Sequence, residues 1–282
     1  MRGMFNMPEL QLPKIGFGTW MLSMNDCKDA VFKAIEIGYR LIDTAQSYGN
    51  EKGVGDGIAE AIAKCGVSRD DLIIATKINI LNYAPAKVIK TANVSLGKLG
   101  LKKVDILYVH WPAKIFGYKA EKTLKAFSQL VDEDKVGNIG ISNFNPRQLV
   151  DAIKVCDGLG KKILAHQIEH HPMLQQQEMR KLLADNDIHL VAYSPILRGH
   201  AGTVPELAQI AKKHGVSEAQ VSLAWEMDHG AIPIPKATSE AHIKDNFAAQ
   251  ELALDKEDID LIDSIKKEKR FVNPPSFFHG GW

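Results

Sequence analysis

Four side chains that together could hand a proton to a carbonyl oxygen stand near the ends of three short apolar runs. Asp43 closes RLID, Lys77 lies in DLIIATKI, and His110 follows VDILYV; Tyr48 sits in the segment after Asp43, LIDTAQSYGNE. A phenol has an ordinary pKa of about 10, so at neutral pH it is a weak donor to a nascent alkoxide. An ammonium about 4 Å away, at an effective dielectric near 20, favours the phenolate by roughly 4 kcal/mol, or about three pKa units. Asp43 would hold Lys77 in place and keep it charged. His110 could donate to the substrate oxygen and orient it. Singly, each has a commoner use: the Asp as a cap, the Lys reaching to water, the His as a satisfied core residue. Jointly they make a coherent acid. The other half of such a reduction is a hydride, which no side chain supplies, so a nicotinamide cofactor is implied.

A second cluster suggests different chemistry. His166-x-x-Glu169-His170 in AHQIEHHP has the residue order of a class of zinc peptidases. That motif needs a helix, where residues four apart share a face. Here the segment is KKILAHQIEHHP, which follows Gly158 and Gly160, has a branched apolar run and stops at Pro172. It reads as a strand. In a strand His166 and His170 share one face and Gln167, Glu169 and His171 the other, which splits the motif. No metal is expected, and the two histidines are assigned to packing on the helix-facing side. Tyr48-x-x-x-Lys52 and Tyr118-x-x-x-Lys122 match the Tyr/Lys spacing of short-chain dehydrogenases, but the Gly-rich turn those enzymes need is missing. Lys52 and Lys122 read as solvated residues at helix starts.

The elements that must position these groups alternate regularly. Apolar runs at 15–20, 40–45, 71–78, 104–111, 137–144, 162–170, 188–196 and 231–237 are separated by segments of helical spacing, such as 27–38, 51–66, 85–100, 145–156 and 176–187. Helix starts are signalled by Asn25 and Asp26, by Ser142-Asn-Phe-Asn-Pro and by Ser217-x-x-Gln220. Near-continuous apolar strands alternating with helices read as a parallel sheet covered by helices. Eight such units in about this length match a single (β/α)8 TIM barrel, with active-site residues at the carboxyl ends of the strands. A short N-terminal cap or hairpin, an extra surface helix over 254–269 and an irregular tail complete the reading. No linker divides 1–282, so one domain is expected. The rival is a doubly wound dinucleotide fold. It fails because neither Gly16-Phe-Gly18 nor Gly53-Val-Gly55-Asp-Gly57 has the required spacing after a strand. The latter glycines read as allowing close helix packing.

Composition narrows the function classes. Lys plus Arg number 35 and Asp plus Glu 34, so no basic surplus exists to hold nucleic acid or an anionic membrane. The three cysteines, Cys27, Cys65 and Cys156, do not make a disulfide framework. The opening MRGMFNMPELQLPKIG lacks the pattern of a signal peptide, and no run reaches the length of a membrane span. A cytoplasmic location is expected.

The blocks GYRLIDTAQSYGNE, ATK, VHWP, IGISNF, QIEHHP, AYSPILRG and IPIPKATSEAHIKDN fall in the order of the signature of the aldo-keto reductase family, which the chain resembles, its short-loop members in particular, from Gly16 to about Leu254. The resemblance implies NADP(H)-dependent reduction of aldehydes or ketones on a TIM barrel, with Tyr48 as general acid assisted by Lys77, Asp43 and His110. It implies that Ser142, Asn143 and Gln167 hold the nicotinamide carboxamide and that Tyr193 stacks on the ring. Ser194, Ile196 and Arg198 would follow the pyrophosphate. Lys236, Thr238, Ser239, His242, Asp245 and Asn246 would take the adenosine end, and Trp20 and Trp111 would wall the substrate. The last block departs from the family pattern, with Ala237 in place of Ser and His242 in place of Arg. Lys236 keeps one cation there, so NADP(H) is expected, with NAD(H) as the weaker alternative. Short loops after His110 and at 197–203 imply an open site for small carbonyl compounds and a monomer. The tail, FVNPPSFFHGGW, could fold over the mouth as an apolar lid or pack on the outer helices. Some relatives on this fold bind nicotinamide nucleotide without catalysis, which is the alternative function.

Overall fold

In a computed structural model, which describes residues 10–281, eight parallel strands form one sheet in sequential order. They are β1 (Phe17–Gly18), β2 (Leu41–Asp43), β3 (Ile73–Ile78), β4 (Val104–Val109), β5 (Val136–Ser142), β6 (Ile163–Glu169), β7 (His189–Tyr193) and β8 (Ala231–Pro233). Each coincides with an expected apolar run, most of them shortened; β5 instead begins one residue earlier, at Val136. The ring closes where the Gly16 and Gly18 amides donate to the carbonyls of Pro233 and Pro235, at 2.9 and 3.0 Å. A (β/α)8 barrel results. Its interior is filled by Leu41, Ile73, Ala75, Ile106, Tyr108, Leu164, Val191, Ile232 and Ile234, with Leu10 and Leu12 packed beneath them. Those two residues provide the capping expected of the amino-terminal segment. No strand precedes β1 among the described residues, and the part of the expected hairpin in residues 1–9 lies outside them.

The helices cover the outside: α1 (Met24–Ile37), α2 (Glu51–Lys64), α3 (Pro85–Leu99), α4 (Ala120–Asp132), α5 (Pro146–Gly158), α6 (Gln177–Ala184), α7 (Pro205–His214), α8 (Glu218–Asp228), α9 (Glu240–Ala248) and α10 (Lys256–Asp263). Asn145 caps α5 with Pro146 in its first turn, and Ser217 with Gln220 forms a capping box on α8. The start of α1 differs from the expectation. It is capped by Ser23, whose hydroxyl accepts from the Asp26 amide, and Asn25 and Asp26 fall inside the first turn. The surface helix expected over 254–269 forms only at Lys256–Asp263, capped by Asp255.

The glycines of α2 pack as expected. A Cβ on Gly53 would sit 2.3 Å from the Met24 carbonyl oxygen, one on Gly57 2.5 Å from that of Lys28, and one on Gly55 2.5 Å from that of Leu99. The helix therefore presses backbone to backbone against α1 on one side and α3 on the other. That contact fixes the loop ahead of it, which carries Tyr48.

Candidate active site

Strand ends and the loops after them bring the sequence-nominated groups together. Asp43 is the last residue of β2, Lys77 the penultimate residue of β3, and His110 the first after β4. Tyr48 ends a short turn over Gln46–Tyr48. Three side chains, Gln46, Asn50 and Glu51, hold that turn. The Gln46 carboxamide accepts from the Asn79 amide at 2.9 Å and donates to Ser95 at 3.1 Å. Asn50 donates to the carbonyls of Thr19 and Leu22 at 2.9 and 3.1 Å and accepts from Thr44 at 3.1 Å. Thr76 donates to buried Glu51 at 2.8 Å. The run TAQSYGNE is thus a clamp that ties the loop to β1, β3 and α3.

At the floor the Lys77 ammonium, fully buried, donates to Asp43 Oδ1, to the Thr44 carbonyl at 3.0 Å and to the Tyr48 hydroxyl at 3.2 Å. Gln167 donates to the other Asp43 oxygen at 2.8 Å. The His110 ring stands edge-on to Tyr48, with centroids 5.9 Å apart, and Ser47 Oγ lies 3.3 Å from His110 Nδ1. Burial pulls the Lys77 ammonium down, but Asp43 and the phenol outweigh it and leave its pKa above the ordinary lysine value. Burial, reinforced by the Lys77 charge, drops His110 to about 3, so its ring is neutral at physiological pH.

Tyr48 corrects the simple sequence argument. Lys77 does favour the phenolate, but burial acts more strongly and Asp43 acts with it, so the phenol stays above its ordinary pKa. Estimating from the Lys–Tyr pair alone leaves out both the desolvation of the phenolate and the carboxylate that cancels much of the ammonium's field.

Above this floor lies a cleft of about 650 Å³. Asp43, Tyr48, His110, Trp20, Trp111, Ser142, Asn143, Gln167, Tyr193, Ser194, Ile196, Arg198 and Lys236 all line it. Asn143 has a left-handed backbone (φ 65°); its amide nitrogen donates to the His110 carbonyl at 2.9 Å, and its oxygen accepts from Tyr193 at 2.7 Å. Arg198 lies over the Trp20 ring at 4.5 Å, so these two nominated residues touch each other at the mouth. Thr238, Ser239, His242, Asp245 and Asn246 are outside the cleft lining. Ser239 caps α9 by accepting from the His242 amide, His242 is exposed, and the Asp245 carboxylate accepts from Ser217 at 2.8 Å. Asn246 is buried. Sequence reasoning passed over Met21, Ser47, Pro235 and Val272, which also line the cleft. Ser47 adjoins Tyr48 and could have been found; Val272 lies in the tail already considered as a lid, but no local signal singles it out among the tail residues.

The second histidine cluster runs from β6, which holds His166 and Glu169, into His170 and His171 just after it, in keeping with its reading as a strand. His166 accepts from the Phe144 amide at 3.1 Å. His170 lies 2.5 Å from Glu226 and stacks on Trp225, while Glu169 turns toward His171 at 3.1 Å and toward the tail. The three side chains are thus directed to three different partners. Lys52 pairs with Asp56, and Lys122 is exposed, so the lysine that serves Tyr48 comes from β3.

The donor set fits a nicotinamide dinucleotide. The cleft runs from the phenol, past side-chain amides and an aromatic ring, to two cations, Arg198 and Lys236, suited to phosphate oxygens. A phenol on a buried ammonium at the carboxyl end of a closed parallel barrel, beside such a cleft, defines an oxidoreductase of carbonyl groups. The chain matches the model of the Aldo/keto reductase family over residues 14–267, and it belongs to that family. It is 37% identical over 277 residues to a 9,11-endoperoxide prostaglandin H2 reductase of Trypanosoma cruzi, covering 96% of this chain and 94% of that protein. It is 36% identical to the glyoxal reductase of Bacillus subtilis, over 93% of this chain and 91% of the relative. An aldo-keto reductase of Bombyx mori, solved in complex with NADP, shares 30% identity with a TM-score of 0.85, covering 94% of this chain and 92% of that one. The protein is an enzyme that reduces carbonyl groups with NADP(H). No helix among the described residues is long and apolar enough to cross a membrane.

Proposed function

We propose that the chain reduces small aldehydes and ketones, with Tyr48 as the proton donor. The observation that carries this reading is the buried Lys77 ammonium 3.2 Å from the Tyr48 hydroxyl and bonded to Asp43. When bound, the nicotinamide supplies the hydride. The substrate oxygen docks between the Tyr48 hydroxyl and His110. In the tautomer with its proton on Nε2, the neutral imidazole offers that N–H to the substrate oxygen and leaves Nδ1 to accept from Ser47 Oγ, 3.3 Å away. As negative charge grows on the oxygen, the Tyr48 proton moves to it, and the phenolate left behind is stabilised by Lys77. Asp43 keeps the ammonium charged and fixed.

Ser142, Asn143 and Gln167 hold the carboxamide in this reading, and Tyr193 covers the ring. Ser194, Ile196 and Arg198 follow the pyrophosphate. Lys236, with Thr238, Ser239, His242, Asp245 and Asn246 around the start of α9, takes the adenosine end. Trp20 and Trp111 wall the substrate. A relative named for glyoxal supports small aldehydes. A purely nucleotide-binding role would have no use for the phenol–ammonium pair. The same reading takes the chain as one domain over 1–282, monomeric and cytoplasmic, with its tail over the mouth; Trp282 in that tail lies outside the described residues.

The test is Tyr48→Phe. The variant keeps its affinity for NADPH, measured by fluorescence quenching, while kcat with an aldehyde falls by about 10²–10⁴. Turnover at the parent rate in that variant overturns the mechanism.

A further inference from the structure

Glu169 is the most completely engaged carboxylate near the cleft, and the reaction gives it no task. It ends β6 and is fully buried. One oxygen accepts from the Phe271 amide at 2.6 Å and from His171 at 3.1 Å, and the other accepts from the Val272 amide at 2.9 Å. Burial alone would push the carboxyl up, yet His171 and the two amides hold it below the ordinary glutamate value. It is therefore ionised at neutral pH.

Two consecutive backbone N–H groups converge on one buried carboxylate, so the protein's own side chain supplies both with a charged acceptor. The residues around it complete an anchor. Phe271 stacks on His200 with centroids 5.7 Å apart and meets His171 edge-on at 5.4 Å, and the Lys269 amide donates to the Met173 carbonyl at 2.9 Å. The next residue, Val272, lines the cleft. The tail then runs to the far side of the mouth. There Gln148 donates to the His279 carbonyl at 2.9 Å, Asn145 donates to that of Gly281 at 2.9 Å, and Phe278 packs against Trp111 with centroids 6.3 Å apart.

We propose that Glu169 is a positioning residue for the substrate wall: its carboxylate captures the Phe271 and Val272 amides and so sets where the carboxyl-terminal segment crosses the cleft. Glu169 acts through the tail and not on the reacting atoms. Its loss should loosen the aldehyde site while leaving the nucleotide site as it was. The kinetic half of this inference rests on the carbonyl-reductase reading; the structural half does not.

The test is Glu169→Gln in the full chain, read by hydrogen exchange over residues 270–281 and by steady-state kinetics with a bulky aromatic aldehyde. Exchange in the tail is expected to quicken by about tenfold, because a charge-assisted bond is replaced by a neutral amide that presents a donor to one N–H. KM for the aldehyde should rise by a similar factor, with kcat within about twofold and the NADPH Kd unchanged. Should Glu169→Gln fail to fold, Val272→Pro removes one of the captured N–H groups without touching the barrel, and it should give the same two changes. Tail exchange at the parent rate in a folded variant overturns the proposal, as does a weakened NADPH Kd with an unchanged aldehyde KM. If no aldehyde is turned over even by the parent, the exchange result still decides whether Glu169 holds the tail.

Discussion

A general acid must keep its proton until the substrate asks for it. Burial raises the Tyr48 pKa, so the phenol is protonated throughout the physiological range, and Lys77 matters at the moment the phenolate forms. His110, held near 3, stays a neutral hydrogen-bond donor. The pH dependence follows from the signs. In the proposed mechanism carbonyl reduction uses protonated Tyr48, which persists below its raised pKa, and neutral His110, which persists above about 3. We expect kcat/KM for reduction to show no ionisation of either group between about pH 5 and 9, and to decline only above about pH 10. Alcohol oxidation needs the phenolate and should rise toward alkaline pH. A reduction profile with an inflection near pH 6.5 that disappears in His110→Asn would show His110 titrating, contrary to its burial beside Lys77.

At the scale of elements, α2 carries two kinds of information in a few residues. Asn50 and Glu51 fasten the Tyr48 loop to neighbouring strands, and Gly53, Gly55 and Gly57 let the helix approach α1 and α3 closely. Gly53→Ala would press a methyl group into the Met24 carbonyl, 2.3 Å away, and should destabilise the fold by about 1–3 kcal/mol or more. Gly97 in α3 is the contrast: it is exposed, and a Cβ there has nothing within 4 Å. Gly97→Ala should stabilise by about 0.5–1 kcal/mol. Denaturant unfolding of the two variants checks both signs, and equal effects would mean that α2 does not pack against α1 as described.

At the scale of the whole molecule, the barrel closes by backbone bonds between residues 16 and 233 and between 18 and 235, and its outer layer is stapled by charge. Buried Asp258 in α10 accepts from Lys213 at 2.8 Å and from His214 at 2.7 Å, both at the end of α7. Burial pushes Asp258 up, but Lys213, His214 and the Asp255 amide outweigh it and leave the pKa depressed. A depressed carboxyl contributes stability above the unfolded value of about 3.9 and loses it as pH falls through the folded value. Asp258→Asn, which also removes a capping-box member, should cost about 0.5–2 kcal/mol at pH 7, and progressively less in acid. Thermal unfolding at several pH values measures this; a deficit that does not shrink as pH falls rules the linkage out. The sequence by itself determined the eight strand–helix units, the closed parallel architecture and the four residues at the cleft floor, because periodicity and strand-end position are local properties of a chain. The tertiary structure alone decided the sign of the Tyr48 shift, the partners of the α2 glycines, the particular partners taken by His166, Glu169 and His170, and which residue of the tail, Val272, lines the cleft. Each of these depends on which distant groups are brought within a few ångströms and how much water is excluded, and neither can be read from residues adjacent in the chain.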